Sequence, residues 1–577
     1  MLRGSFEADS RSSLRPRPMT SPEISASKSA KMSPLLVIGL DGATFDVIRP
    51  MVEAGKLPNL ARFMDEGIAA PLRSTAPPVT FPAWSSFMTG LEPGRHGMFD
   101  FTQKISGAYR IAFANAADRS GRSIFARVSE AGGRVLVLGV PATFPPEELN
   151  GLLVPGFDAP VSTGSDADAT NDPSLYKRIE AIAGPWMRPA MKEGSDTSLD
   201  RTRGHLLDRV DRKLAFSVAA IEAMREEADL DFMMVVFSES DTVGHHFWRH
   251  HDPDSPRHDP TADATARATI EDVYSRLDHA CGELRRAFGE ESLCVVMSDH
   301  GMGGASRHVV HLNRYLSEAG LLTRISEGGP SVDALARGLR DLALKILPSG
   351  LAQFIFRRAR AAAARLESGA RFGGFDWNQT LAFSEEANTN PGVWINLRGR
   401  EAKGAVAPED YERVRDRVIE ALLAWRLPDG EPVVARAIRR EDLYHGPFVS
   451  RAPDIMIELA LHHGYGLSLV ASRWEEGGGS SVTRLEDDEL AGGRGLGMNG
   501  THRADGILVG TGAGLSLDEP HPRLVDMAPT LLGAMGLDWE TSEGSADGIS
   551  HGLTERRYSA EEEAAVADRL RALGYLD

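Results

Sequence analysis

Six side chains that can bind divalent cations stand at the ends of apolar runs or in the loops between them. Asp241 and His245 are four residues apart, a spacing that puts both on one face of a helix, and Asp299 and His300 directly follow an apolar run. Either pair alone also fits an ordinary structural role. Carboxylates combined with imidazoles suit zinc or manganese, and six ligands are enough for two ions. The full set comprises Asp41, Asp241, His245, Asp299, His300 and His502.

A seventh candidate is the hydroxyl of Thr80, in the stretch PPVTFPAWSSFMTGLEPGRHG at residues 77–97. Pro78 and Pro82 restrict the backbone on either side of it, and the apolar residues that follow predict a helix that packs inward. Thr80 then lies near a helix N-terminus, which favours an anion such as phosphate. An ordinary threonine in a proline-rich turn is an equal alternative on this stretch alone. Two cations roughly 4 Å apart can clamp a displacement at phosphorus and activate a hydroxyl, which makes Thr80 the natural nucleophile.

Three apolar runs predict buried parallel strands that would bring the aspartates together. They are LLVIGL before Asp41, DFMMVVF shortly before Asp241 and SLCVVMS before Asp299. A fourth strand is predicted at 134–140, and helices are predicted at 56–66, 213–227 and 265–288. The alternation predicts an α/β fold with a mostly parallel central sheet flanked by helices. In such sheets a ligand binds beyond the carboxyl ends of the strands, so we expect one site at this edge.

The neighbouring histidines and the two cysteines are assigned no chemistry. His246, His250 and His251 are predicted to lie at the surface or behind the metal ligands. Cys281 and Cys294 stand in apolar segments typical of buried thiols, and two cysteines imply no disulfide framework.

The charge balance narrows the class of partner. With 64 Lys and Arg against 82 Asp and Glu, the formal charge is −18, which argues against a nucleic acid polymer because phosphate backbones are bound by clustered Lys and Arg. A negatively charged protein that handles phosphates is expected to use metal ions. No apolar h-region precedes residue 34 and no later stretch is long and apolar enough to span a bilayer, so we expect a cytoplasmic enzyme without a membrane partner.

The length of 577 residues exceeds what one hydrophobic core usually fills. Four parts are predicted: a disordered leader at 1–33, a catalytic core at 34–321 and 491–545, an inserted α/β cap at 322–490 and a tail helix at 546–577. The polar segment 155–203 is predicted as an insertion or long surface loop. An Arg- and Ala-rich run at 332–371 predicts a helix with a solvated face, the alternative being a helix on a membrane surface.

Five motifs occur in an order that resembles the alkaline phosphatase superfamily. They are IGLDG, PPVTFPAWSSFMTGLEPGRHG, DTVGHHFW, SDHGM and GTHRADG. The resemblance is closest to the type I phosphodiesterase and nucleotide pyrophosphatase branch and to the group of predicted phosphohydrolases or phosphomutases, and it covers most of residues 34–320 and 495–540. It implies an alkaline phosphatase-like core. It also implies one metal held by Asp41, Thr80, Asp299 and His300 and a second held by Asp241, His245 and His502.

The same resemblance implies a hydrolase that cleaves a small phosphodiester or phosphomonoester through a covalent phospho-Thr80 intermediate. Its cofactors would be two divalent ions, zinc in preference to manganese. The alternatives are a phosphomutase of the same superfamily and a non-catalytic phosphate-binding protein. One departure is that the branch has an asparagine that helps to hold a phosphate oxygen after TFP, whereas this chain has Ala83. The adjacent Trp84 is expected in the core, the alternative being a stack on an aromatic leaving group.

Overall fold

A computed structural model describes residues 32–160, 166–186, 199–325, 372, 374–472, 474, 479–490, 498–512, 515, 520–539 and 557–573. The predicted leader lies outside these residues except for its last two positions, and the Arg- and Ala-rich run at 332–371 lies outside them entirely. Within the described ranges, no helix has the length and apolar character needed to cross a membrane.

Helices and strands alternate through the first 300 residues. The helices are α1 (Phe45–Glu53), α2 (Pro58–Glu66), α3 (Thr80–Thr89), α4 (Pro93–His96), α5 (Ile124–Glu130), α6 (Pro173–Ala183), α7 (Leu199–Arg225), α8 (Glu239–His251), α9 (Ala264–Phe288), α10 (Leu312–Glu318), α11 (Tyr411–Ala424), α12 (Arg440–Leu443), α13 (Met527–Ala534) and α14 (Ala560–Leu573). The strands are β1 (Leu35–Leu40), β2 (Ile68–Arg73), β3 (Thr102–Lys104), β4 (Ile111–Phe113), β5 (Val135–Val140), β6 (Gly151–Pro155), β7 (Phe232–Phe237), β8 (Leu293–Met297), β9 (Gly301–Val310), β10 (Ala382–Phe383), β11 (Gly392–Ile395), β12 (Val434–Arg439), β13 (Ile455–Leu459), β14 (Leu461–His462), β15 (Tyr465–Leu469), β16 (Val482–Arg484), β17 (Gly500–Arg503) and β18 (Asp505–Thr511).

Seven strands form the central sheet, and its middle three lead into the predicted aspartates. The strand order is β2-β18-β8-β1-β7-β5-β6. β1 pairs in parallel with β7 on one side and with β8 on the other, and β5 pairs in parallel with β6 and β7. β18 is the exception, since it runs antiparallel to both β8 and β2. The predicted α/β class with a mostly parallel central sheet is confirmed.

Helices cover both faces of this sheet. Because side chains alternate along a strand, Leu36 and Ile38 of β1 lie in one apolar cluster, whereas Leu35 and Val37 lie in another. The first cluster includes residues of α1, α2, α7, α8 and α9, and the second includes residues of α3, α5 and α13. Burial on both faces explains why β1 reads as an unbroken apolar run.

A second apolar core lies in the region predicted as the cap. There β10, β11, β13 and β12 form an antiparallel sheet in that order, against which α11 packs. A further sheet, in the order β14-β15-β9-β16, joins this region to the residues that follow β8. β9 lies on the core side of the predicted boundary at residue 321, and its partners β15 and β16 lie on the other side. The domain boundaries themselves stay predictions.

The described part of the segment 155–203 is not a surface loop throughout, and the alternative that the segment is an insertion stays a prediction. Its described part contains α6, whose first turn is capped by the side chain of Asp172. Leu175, Tyr176 and Ile179 of this helix are buried in the first apolar cluster. The Asp and Pro residues at its start are helix-capping residues, so a composition typical of loops here marks the beginning of a helix.

The C-terminal helix α14 packs beside the predicted nucleophile. Val566 and Leu570 share an apolar cluster with Val79 and Phe81, the residues on either side of Thr80. The helix therefore belongs to the apolar cluster that contains both neighbours of Thr80.

Candidate metal centre

The three predicted aspartates meet at the carboxyl edge of the central sheet. Asp41 follows β1, Asp299 follows β8 and Asp241 lies in the first turn of α8, and all three are buried. The Gly42 N–H donates to Asp299 Oδ1 at 3.2 Å. Gly42 has a φ of +65°, and a Cβ there would lie 3.0 Å from Asp241 Oδ1, so glycine is needed for the turn after β1 to come this close to α8.

Asp241 and His245 project from α8, whose start is held by a buried ion-pair network. Glu239 accepts from Lys213 Nζ at 3.1 Å and lies 2.7 Å from the guanidinium of Arg209, both on α7. Burial opposes the negative charge of Glu239, but Lys213 and Arg209 outweigh burial and lower its pKa. The ion pairs fix where α8 begins and hence the direction of both ligands.

His300 and His502 come from the other side of the centre. His300 directly precedes β9, and His502 lies on β17, which pairs antiparallel with β9 so that His502 is opposite Met302. The rings of the two histidines stack with their centroids 3.7 Å apart. The pairing of β9 with β17 thus brings a residue near position 500 to the ends of β1, β7 and β8.

All three ligand imidazoles place Nδ1 against a backbone carbonyl. A carbonyl oxygen can only accept a hydrogen bond, so Nδ1 carries the proton in the neutral form of each ring. The lone pair of that form is then on Nε2, the atom that points into the centre. The acceptors are Gly500 O for His245 at 2.8 Å, Gly301 O for His300 at 3.1 Å and Pro78 O for His502 at 2.9 Å.

The first ligand group surrounds His300. Its Nε2 atom lies 3.3 Å from Asp299 Oδ2 and 3.6 Å from Asp41 Oδ1. One ligand atom from each of these three residues lies within 4.8 Å of the others. The group therefore has the size of a single ion site.

The second ligand group adjoins the first. Nε2 of His245 lies 3.0 Å from Nε2 of His502, and these atoms are 3.2 Å and 3.4 Å from Asp241 Oδ1. Ligand atoms of Asp241, His300 and His502 also lie within 4.8 Å of one another, which places His300 between the two groups. The structure thus brings all six predicted ligands into one centre.

Burial and neighbouring charges shift the pKa values of the three aspartates. Burial, followed by the charges of Asp299 and Asp241, raises the pKa of Asp41 well above its usual value. Burial likewise raises the pKa of Asp299 to about 8, with the charge of Asp241 adding to the rise. Burial acts in the same direction on Asp241, but His245 and His502 outweigh it and hold the pKa of that carboxyl well below its usual range.

The donor set fits divalent cations. Oδ1 of Asp41 and Oδ2 of Asp299 are buried, and among the described residues no group donates a hydrogen bond to them. A neutral His300 turns its Nε2 lone pair toward both oxygens, an arrangement that is unfavourable unless positive charge lies between them. Mixed carboxylate and imidazole ligands suit zinc or manganese. Asp41, Asp299 and His300 would hold one ion, and Asp241, His245 and His502 the other.

Thr80 lies at the edge of this centre. It is the first residue of α3 and is fully buried, with Oγ1 3.4 Å from Nε2 of His300. The positive end of the α3 dipole therefore faces the centre, where it favours bound phosphate. The predicted nucleophile thus adjoins the predicted ligands.

Two hydrogen bonds hold the loop that precedes Thr80, and one of them comes from a distant part of the chain. The Tyr444 hydroxyl, from the region predicted as the cap, donates to Ala76 O at 2.6 Å, and the Thr75 hydroxyl donates to Pro77 O at 2.8 Å. Tyr444 is buried and packs edge-on against Phe99. No sequence motif marks Tyr444, and its role follows only from this long-range contact.

Trp84 lies in the core, as expected, and it also supports Asp41. Its ring is fully buried, stands edge-on to Phe87 at 5.9 Å and donates from Nε1 to Asp41 Oδ2 at 3.2 Å. Ala83 lies in the same apolar cluster as Trp84. The methyl group of Ala83 therefore faces the core. The absence at this position of the asparagine expected from the related branch stays a prediction about phosphate binding.

The sequence predicts that His246 and His250 lie either at the surface or behind the metal ligands, and the structure places them behind the ligands. His246 and His250 are buried rather than at the surface. Burial lowers the pKa of His246 to about 4, with the charge of His245 adding to the effect. They form part of the packing behind the ligands.

Replacing Trp84 with phenylalanine is expected to weaken metal binding by about 10- to 100-fold, the usual effect of losing a hydrogen bond to a ligand. The aromatic contact with Phe87 can persist, but the donor to Asp41 is lost. Titration of metal-stripped protein measures the affinity. Phe87→Leu is the matched control, because it disturbs the same packing without touching Asp41. An equal loss of affinity in both variants would show that packing, and not the hydrogen bond, is responsible.

Replacing His502 with asparagine is expected to remove one bound ion and leave the other. His502 contributes to the group with Asp241 and His245, whereas Asp41 and Asp299 keep their own imidazole. Elemental analysis of the dialysed protein counts the ions per chain. His279→Asn, a change at an exposed histidine on α9, should leave the count unchanged. An unchanged count in His502→Asn, or loss of both ions, contradicts this assignment.

Comparison with known proteins identifies a family. The model of the type I phosphodiesterase / nucleotide pyrophosphatase family matches residues 35–468. Among solved structures, phosphonoacetate hydrolase from Sinorhizobium meliloti 1021 in complex with phosphonoacetate is 15% identical, with 88% of this chain and 96% of that chain covered and a TM-score of 0.50. Murine ectonucleotide pyrophosphatase / phosphodiesterase 5 in complex with AMP is 14% identical over 90% of this chain and 98% of that one, with a TM-score of 0.45. No curated protein sequence matches the chain.

The structural likeness confirms an alkaline phosphatase-like fold, and the family match covers more than half of the chain. The protein therefore belongs to the type I phosphodiesterase / nucleotide pyrophosphatase family, metal-dependent hydrolases of the alkaline phosphatase superfamily that act on phosphate esters.

Proposed function

We propose that this protein hydrolyses a small phosphodiester or phosphomonoester through a covalent phospho-Thr80 intermediate. The proposal rests mainly on one observation: the Thr80 hydroxyl lies at the N-terminus of α3, 3.4 Å from Nε2 of His300 and beside three buried carboxylates. A buried threonine with a purely structural role would not need six metal-competent side chains around it.

In the first half-reaction, Oγ1 of Thr80 attacks phosphorus. A bond forms between Oγ1 and phosphorus as the bond from phosphorus to the leaving oxygen breaks, and that oxygen departs with the electron pair. The hydroxyl gives up its proton to solvent for this attack, because a neutral hydroxyl is a weak nucleophile. Oγ1 takes up a proton again when water, which loses one, hydrolyses the intermediate. The N-terminus of α3 stabilises the negative charge of the phosphoryl group while it is attached to Thr80.

In the second half-reaction, water attacks the phosphorus of phospho-Thr80. The bond between Oγ1 and phosphorus breaks, Thr80 is regenerated, and phosphate or a phosphomonoester is released. The Pro78 carbonyl accepts a hydrogen bond from the His502 ring, and the Ala76 carbonyl accepts one from the Tyr444 hydroxyl. These two bonds hold the loop that carries Thr80, so Oγ1 returns to the same position.

The two divalent ions, when bound, would supply positive charge that lowers the pKa of the nucleophile and stabilises the leaving oxygen. The ligand set favours zinc over manganese because three imidazoles converge on it. Asp41 is oriented by Trp84 and Asp299 by the Gly42 N–H, so each carboxylate keeps its second oxygen directed into the centre.

Turnover in isotopically labelled water tests the proposal. A hydrolase places solvent oxygen in the released phosphate, whereas a phosphomutase returns the phosphoryl group to the substrate and releases none. Protein whose Thr80 becomes phosphorylated without net release would therefore be a mutase. Absence of both turnover and bound metal in the purified protein would support a non-catalytic phosphate-binding protein.

The substrate class is proposed from the charge of the chain. A formal charge of −18 disfavours a long polyanion, so we expect a small phosphorylated molecule. A panel of phosphomonoesters, phosphodiesters and nucleotides, assayed with zinc or manganese on metal-stripped protein, would identify it. Preference for a nucleic acid polymer in this panel would contradict the proposal.

A further inference from the structure

A second group of metal-competent side chains lies on two tight turns outside the metal centre. Asp429, His462 and His463 each offer a ligand atom, and these atoms lie within 4.8 Å of one another. A zinc ion with bonds of about 2.0–2.2 Å holds its ligand atoms roughly 3–4 Å apart. Small movements of the side chains are therefore enough to bring the three onto one ion.

His462 is already oriented by hydrogen bonds at both ring nitrogens. Its Nε2 lies 2.8 Å from Asp429 Oδ2, and its Nδ1 lies 3.2 Å from the Ser306 hydroxyl. The carboxylate accepts, so Nε2 carries the proton and Ser306 donates to Nδ1. A hydroxyl can also accept, so the proton can shift to Nδ1 when an ion takes its place at Nε2. Ser306 thus orients the ring in either state, as a supporting residue does for a metal-bound histidine.

A hairpin turn fixes the two histidines. His463 (φ 51°) and Gly464 (φ 88°) form the two-residue turn between β14 and β15, in which His462 pairs with Tyr465. His463 takes the positive φ that such a turn requires, and the turn places its ring beside that of His462, with the ring centroids 4.3 Å apart. β9, which carries Ser306, pairs with β15 and supports the hairpin.

Asp429 comes from a separate turn and keeps one oxygen available. Its Oδ1 accepts from the Glu431 N–H at 3.1 Å, whereas Oδ2 faces His462. Asp429 and His463 are exposed, and the side chain of His462 is 12% exposed. An ion can therefore enter from solvent, and water can complete its coordination.

We propose that Asp429, His462 and His463 form a binding site for one zinc ion, distinct from the Thr80 centre. Two of the three ligands are imidazoles, which favours zinc over magnesium or calcium. The two sites are connected by the same strand, since His300 directly precedes β9 and Ser306 lies on it, roughly 20 Å further on for six extended residues.

The test is to count the zinc held by metal-stripped full-length protein after equilibrium dialysis against zinc. The wild type is compared with the double variant D429N/H463N, which is expected to hold one zinc fewer per chain. Asparagine keeps an oxygen for the Glu431 N–H at position 429, and it tolerates the left-handed backbone at position 463. H279N is the matched control, because His279 is an exposed histidine outside both groups, and its zinc content should equal that of the wild type.

Equal zinc contents in the wild type and the double variant would overturn the proposal. A loss of one zinc in H279N as well would also overturn it, because zinc would then bind exposed histidines in general. The comparison is a difference between variants, so it holds whatever number of ions the Thr80 centre binds. If the double variant does not fold, H463N alone gives the same comparison, since the side chain at position 463 is exposed.

Discussion

Replacing Thr80 with alanine is expected to reduce turnover by roughly 10⁴-fold or more, the scale seen when a nucleophile is removed. The hydroxyl oxygen lies 3.4 Å from Nε2 of His300, and alanine has no oxygen with which to attack phosphorus. Alanine fits the same space at the start of α3, and it leaves the six charged or imidazole ligands in place. Initial rates measure the loss of turnover. Bound metal and thermal melting, measured on the same preparation, show whether the metal centre and the fold are intact.

Thr80→Ser is the matched control for this experiment. Serine restores the hydroxyl at the cost of one methyl group, so it should recover turnover to within about tenfold of the wild type. Wild-type turnover in Thr80→Ala would rule out Thr80 as the nucleophile. Loss of bound metal in both variants would instead show that Thr80 acts mainly as a structural residue.

Metal-free protein is expected to become less stable as the pH rises from about 7 to about 9. The pKa of Asp299 rises from 3.8 to about 8 on folding, mainly through burial, and that of Asp41 rises in the same direction. Over this interval the buried histidines with lowered pKa values, such as His246 and His300, are neutral in both states, whereas the raised carboxyls keep protons only in the folded chain. The unfolded chain therefore binds fewer protons than the folded chain, and the free energy of unfolding falls as pH rises. Each such group contributes up to about 1.4 kcal/mol per pH unit. Denaturant midpoints measured with a chelator across this range would show the slope.

Divalent cations should abolish most of this pH dependence, because their charge replaces the bound protons. The same midpoints measured with zinc or manganese should therefore be nearly flat over the same range. Asp299→Asn supplies the control, since it removes one titrating carboxyl and should reduce the slope of the metal-free protein. Metal-free stability that increases with pH over this range, or a slope that Asp299→Asn leaves unchanged, would show that burial does not hold protons on these carboxyls in the folded chain.

Burial on both faces is what made the central strands predictable. β1, β7 and β8 are covered by helices on each side, so their sequences contain little but apolar residues and their ends stand out. The proximity of Asp41 and Asp299 could then be predicted, because the carboxyl ends of parallel strands meet at one edge of the sheet. The role of Thr80 depended on the family motifs as well, since a threonine in a proline-rich turn has no chemical signature of its own.

The contacts that escaped prediction join parts of the chain far apart in sequence. β9 and β17 are rich in glycine and histidine, so no alternating apolar pattern marks the pairing that carries His502 into the centre. Tyr444 is 368 residues from Ala76, whose carbonyl it binds. α6 was hidden by capping residues that also occur in loops. Local patterns report burial and backbone preference, and they carry no information about such partners.

The carbonyl groups that orient the three ligand imidazoles have a consequence for evolutionary change. They belong to the main chain at Pro78, Gly301 and Gly500, so no substitution of a neighbouring side chain can delete them. An insertion or deletion in these loops is different, because one residue displaces the backbone by as much as 3.8 Å or so and takes the acceptor away from its ring. The centre can therefore survive extensive sequence divergence around it, whereas the lengths of the loops before Thr80 and before His502 are expected to be fixed.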